Sequence, residues 1–120
     1  MKLFDSELQV MEVLWEKGDL CAREVARILA DKIGWNKNTT YTIIHKLIGK
    51  GAIERLDPGF ICHPLLLRQQ AQRDAARQLI DRFFNGAASD LFACLLQDGP
   101  IDPGELAALR KLVEAQDNGK

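Results

Sequence analysis

The sequence predicts a mainly α fold with a small β-hairpin: three helices, the hairpin, then a helical tail. Three observations carry this. Apolar residues recur at helical spacing in three successive stretches ahead of Gly51. Two short alternating stretches then flank the turn Asp57-Pro58-Gly59. From Leu66 the composition shifts to Gln, Arg and Ala, and the apolar spacing becomes helical again. Helix, helix, helix, hairpin is the order of a winged helix-turn-helix. The expected domains are therefore a winged helix over residues 1–65 and a helical region over residues 66–120.

The first helix is signalled at Ser6, which has capping-box spacing with Gln9. Leu8, Met11, Leu14 and Trp15 form its apolar stripe, with Trp15 expected in the core, and Gly18 sits where a left-handed cap ends it. The second runs from Cys21 to about Ile33, with Val25, Ile28 and Leu29 inward. Cys21 and Glu24 have the spacing of a cap and its partner, although Cys caps less well than Ser or Thr. Gly34 to Lys37 reads as a turn, and the third helix begins near Asn38 with Thr40, Ile43, Ile44, Leu47 and Ile48 on its inner side. AIERLD and FICHP are the two strands, the second stopped by Pro64.

In the tail, Ala71, Ala75, Leu79, Ile80, Phe83 and Phe84 lie along one stripe of a long helix that Gly86 breaks. A shorter helix from about Ser89 to Leu96 carries Leu91, Phe92, Leu95 and Leu96. After Gly99-Pro100, Asp102 caps a last helix with Pro103 in its first position and Glu105 at capping-box spacing. Leu106, Leu109, Leu112 and Val113 are its apolar face. So many large apolar groups on so few residues must be covered by the chain's own first domain or by another chain. The second alternative makes the tail an α-helical dimerisation arm, with Leu79, Phe83, Leu91, Phe92, Leu95, Leu106, Leu109 and Val113 as contact residues.

The third helix is where chemistry concentrates. Its outer side carries Asn38, Thr39, Tyr41, Thr42, His45, Lys46 and Gly49, with no carboxylate and no large aliphatic group. Hydroxyls and amides can reach phosphates and base edges in a DNA major groove, and Lys neutralises charge there. The whole chain does not advertise this: Lys plus Arg is 16, Asp plus Glu is 17, and the net charge is -1. From Lys32 to Arg55, however, five basic residues face a single acid, Glu54, which is a focused positive patch. Lys37, Lys46 and Lys50 are candidate phosphate partners. Tyr41 either offers its hydroxyl to a phosphate or packs beside the second helix, and His45 either meets DNA or is solvated.

Other classes find less support. At 47% hydrophobic and 28% charged, the 120 residues can build a core and stay soluble. No apolar run approaches the roughly 20 residues a membrane span needs. MKLFDSELQ turns acidic too soon for a signal peptide, so the cytoplasm is the expected compartment. Cys21, Cys62 and Cys94 are odd in number and widely spaced, which argues against a disulfide framework. Cys62 and His63, adjacent in a strand, point to opposite faces, and no Cys/His set has zinc spacing, so no metal or cofactor is expected. No phosphate loop or nucleophile motif suggests an enzyme. Cys21 at a helix N-terminus leaves open a thiol-redox response, set against a small buried residue in that place.

Four stretches together resemble the penicillinase repressor family, the BlaI/MecI/CopY group: SELQVMEVLWEKG, AREVARIL, TTYTIIHKLIGKGAIER and the Pro64-Leu65-Leu66 exit from the hairpin. The resemblance implies a homodimer that represses transcription from a palindromic double-stranded DNA operator. It places a recognition helix on Asn38 to Lys50, with Thr39, Thr42 and Lys46 as contacts. Members that regulate β-lactam resistance are inactivated by proteolysis at an Asn-Phe bond; Cys94-Leu95 falls there in this chain, and a sensor protease stays open as a partner. Copper-responsive members carry paired Cys-x-Cys motifs near the C-terminus, whereas this sequence reads EAQDNGK. The wing, Leu56 to Phe60, lacks the Arg usual near this turn. The competing class is a winged-helix protein-interaction module, and the acid-free helix face discriminates in favour of DNA.

Overall fold

In a computed structural model that describes residues 1–118, the order is α1 (Asp5–Lys17), β1 (Leu20–Cys21), α2 (Ala22–Ile33), α3 (Lys37–Lys50), β2 (Ile53–Leu56), β3 (Ile61–Pro64), α4 (Arg68–Phe83), α5 (Ala88–Gln97) and α6 (Pro103–Asn118). This is a winged helix-turn-helix followed by three helices. It divides into two compact units, Met1–Ala76 and a second from Arg77 onward. The first extends past residue 65 because Leu66 and Ala71, at the root of α4, are buried with its core.

Helix α1 starts at Asp5 rather than behind a Ser6 cap. Its N-cap is Phe4, whose backbone N–H donates to the Glu7 carboxylate at 2.8 Å, so Glu7 does the work expected of Ser6 and Gln9. The buried stripe is Val10, Met11, Val13 and Leu14, and Leu8 stays 39% exposed. Trp15 is half-buried with its indole N–H donating to Leu66 O at 2.9 Å, which ties α1 to the chain leaving the hairpin. Helix α2 buries Ala22, Val25, Ala26 and Leu29 and ends at Gly34 in the left-handed region (φ 73°).

Helix α3 begins one residue before the expected start because Asn36 caps it, Oδ1 accepting the Thr39 N–H at 2.8 Å. Thr40, Ile43, Ile44 and Leu47 are buried and Ile48 partly so. At its end Gly51, at φ 81°, donates to Ile48 O at 3.0 Å while Ala52 donates to Leu47 O at 2.9 Å. That tight stop delivers the chain straight into β2.

The sheet has three antiparallel strands in the order β1-β3-β2, where the sequence suggested only a hairpin. Leu20 pairs with Cys62, Ile53 with Pro64 and Leu56 with Ile61. Pro64 closes the ladder as a paired end residue, since it has no N–H to carry the pairing further. Within the second unit, Asp102 caps α6 as expected, its Oδ2 accepting N–H groups of Gly104 at 3.1 Å and Glu105 at 3.2 Å.

Candidate nucleic-acid interface

The α3 face is solvent-exposed at Lys37, Asn38, Thr39, Thr42, His45 and Lys46. The Asn36 cap fixes the first turn, and the Ile43, Ile44 and Leu47 stripe turns these six residues outward. No carboxylate interrupts them.

Two expected members are engaged elsewhere on the wing. Phe60 meets the Tyr41 ring edge-on, centroids 5.8 Å apart at 82°, and lies 5.6 Å from the His45 ring. The Arg55 guanidinium sits over the Phe60 ring, 3.8 Å from its centroid, and its Nε donates to Asp57 Oδ2 at 3.1 Å. Lys37 extends the chain of contacts, its ammonium 5.7 Å from the Tyr41 centroid. Phe60 therefore locks the hairpin to α3, which explains why a bulky residue tolerates φ 50° there. Tyr41 is half-buried against the core, so of its two expected readings the packing one describes its ring, which also meets Phe60 of the wing. Arg55, counted in the positive patch but not singled out as a contact, and Phe60, not singled out at all, lie against this face. Their sequence signal was faint: an Arg in one strand and an aromatic just after a Pro-Gly turn.

Lys50 departs most from expectation. As the last residue of α3 its ammonium donates to Glu7 Oε1 at 2.6 Å and to Lys2 O at 2.9 Å, and it lies 4.6 Å over the Phe4 ring. It is spoken for by α1 and the residues before it, and is not a free cation of the surface. Glu7 is only 1% exposed. Burial pushes its carboxyl up, but the hydrogen bonds from Lys50 and the Phe4 N–H, with the Lys50 and Lys46 charges, outweigh that and hold it below the ordinary range. A lowered pKa means the pair's stabilisation is complete above the ordinary Glu value and fades as pH falls through the folded value. Thermal unfolding between pH 7 and pH 3 is expected to show a midpoint that drops below about pH 4.3. The drop should be steeper in the parent than in Glu7→Gln, and matching slopes would discard the pair as its source.

The three cysteines are free: Cys21 half-buried at the start of α2, Cys62 buried, Cys94 exposed on α5. Burial pushes the Cys62 thiol up to about 11, which keeps it protonated and unreactive. His63 turns away from Cys62, its Nδ1 2.8 Å from Asp19 Oδ1. Among the described residues no group of His, Cys, Asp or Glu could hold a metal, and no helix is long and apolar enough to cross a membrane.

The second unit presents the expected arm residues. Neither α5 nor α6 contains a buried residue. Phe83 is 68% and Val113 61% exposed; Leu79, Phe92 and Leu95 are exposed too, and Leu91, Leu106 and Leu109 half-buried. A groove of about 830 Å³ lies along α5 and α6, lined by Phe92, Leu95, Ile101, Leu106, Leu109 and Val113 among others.

Comparison with known proteins bears on both units. A family model described as penicillinase repressor matches residues 3–115. The chain is 26% identical over 121 residues to the penicillinase repressor of Bacillus licheniformis, covering 99% of this chain and 94% of that one. It is 23% identical over 113 residues to an uncharacterised 16.5 kDa protein of Latilactobacillus sakei, covering 92% and 77%. Among solved structures, the DNA-binding domain of the repressor BlaI matches at TM-score 0.54 and 30% identity, covering 57% of this chain and 87% of that domain.

Proposed function

Because the chain belongs to the penicillinase repressor family, we propose that it is a DNA-binding transcriptional repressor acting as a homodimer on a palindromic operator. The observation that carries this is the carboxylate-free, exposed face of α3, joined through Phe60 to a wing that carries Arg55. Asn38, Thr39 and Thr42 supply short polar groups for base edges and phosphates, and Lys37, Lys46 and Arg55 supply positive charge. His45 stands beside them with its ring leaning on Phe60.

Doubling of that face follows from the second unit. A helix pair with no buried residue and an apolar groove is half of an interface, and a second copy of the same chain supplies the same surface. A two-fold pair of reading heads recognises a two-fold symmetric site. Repression then follows by occlusion of a promoter. Release by a sensor protease would act on the exposed α5 segment around Cys94-Leu95.

The test is salt dependence. Three cations per protomer, Lys37, Lys46 and Arg55, make six in a dimer, so log affinity against log salt should fall with a slope of about -5. Titration of a duplex selected by the protein from a random pool, repeated across a range of salt, measures it. A slope near zero, or no duplex retained at low salt, rejects DNA as the partner and leaves the protein-interaction reading.

A further inference from the structure

Glu7 and Thr40 are the buried polar or charged residues of the described chain, and Glu7 alone is charged. With the Glu7 carboxylate buried and the Lys50 side chain still 30% exposed, the pair offers little net stability, and an apolar pair of similar volume often does as well or better. What such a pair does supply is direction. Elsewhere α3 is seated by Thr40, whose hydroxyl has no hydrogen-bond partner among the described residues, by Ile43, Ile44 and Leu47, and by the Phe60 ring against Tyr41 and His45; these contacts are mostly apolar and allow small rotations about the helix axis. At the C-terminal end, Lys50 is held by two hydrogen bonds, to Glu7 Oε1 and Lys2 O, and Glu7 is itself held by the Phe4 N–H. The Phe4 ring closes the arrangement on one side of the ammonium. An α-helix is about 5–6 Å in radius, so a 10° rotation carries a side-chain base on its surface about 1 Å. Hydrogen bonds to base edges tolerate less than that. Contacts to phosphates through long Lys and Arg side chains tolerate more.

We infer that Glu7 is a positioning residue for sequence reading: by holding Lys50 it sets the rotation of α3, and Lys50 serves as its anchor rather than as a phosphate contact. The inference rests on the DNA-binding reading. It separates two quantities that a general loss of structure would move together, namely discrimination between sequences and non-specific attraction to the duplex.

The experiment uses the full chain, Glu7→Leu, Lys50→Met and the double variant, each titrated against the duplex selected by the parent and a scrambled duplex of equal length. The double variant leaves no unpaired buried charge and so remains folded even where a single variant does not; thermal unfolding reports this. Affinity for the selected duplex is expected to fall about tenfold in each variant, the loss of one good base contact. Affinity for the scrambled duplex should stay within about twofold, and the salt slope should not change. The two single effects should not add in the double variant, because they break the same contact. A Lys50→Met protein that loses affinity equally on both duplexes, with a salt slope shallower by about two per dimer, makes Lys50 a phosphate contact and overturns the inference. Variants that discriminate as the parent does overturn it too, with the DNA reading intact. A parent that retains no duplex removes both.

Discussion

Phe83→Asp is expected to turn the protein into monomers and to weaken binding to its operator by about a hundredfold or more, the usual loss when two linked heads act singly. The substitution is informative because the protomer does not use this side chain for its own core. Phe83 is 68% exposed at the end of α4, so a carboxylate there leaves the fold unchanged and acts only where another chain would cover the ring. Burying an unpaired carboxylate against an apolar partner costs several kcal/mol, more than one side chain's share of an ordinary interface. Leu109→Asp, in the α5–α6 groove, is the companion. Sedimentation of the parent should give a dimer and of both variants a monomer, with unfolding temperatures of Phe83→Asp and parent close together. A parent that sediments as a single chain at micromolar concentration ends the proposal that the tail is a dimerisation arm.

Lys46→Glu is the second large effect, again about a hundredfold on operator affinity. Lys46 is exposed in the middle of the α3 face, one turn from Thr42 and one from Lys50. Reversal removes two positive charges and adds two negative ones across a dimer, in the part of the surface that has no other carboxylate. Each lost or repelled phosphate contact is worth on the order of 1 kcal/mol or more at moderate salt, and both half-sites suffer. Thr42→Ala should cost less and should act on sequence preference rather than on salt slope. An operator affinity unchanged by Lys46→Glu would mean that this face of α3 does not lie against DNA.

The inner and outer sides of α3 were legible because an amphipathic helix writes its orientation in its own spacing. Ile43, Ile44 and Leu47 are buried, and Thr42 and Lys46 exposed, as that spacing implies. Asp102 and Pro103 marked the start of α6 for the same local reason. What failed was non-local. Strand β1 has two residues and no period of its own; it exists because Leu20 and Cys21 meet Cys62 and Ile61. The capping of α1 fell to Glu7, since burial against Lys50 places its carboxylate near Phe4, and no pattern around Ser6 contains that. Lys50 and Glu7 are 43 residues apart. Tyr41 and His45 were legible as outward-facing but not as partners of Phe60, which only the hairpin's return brings within reach.

If the bare helices α5 and α6 pair two copies, they set how the protein would respond to its own abundance. If the competent species is a pair, then at dilutions where chains are mostly single its amount rises as the square of chain number. Halving synthesis would leave a quarter of it. A cell could then relieve such a repressor by modestly slowing its production, and clearance of lone chains, whose greasy surface invites degradation, would sharpen that threshold further.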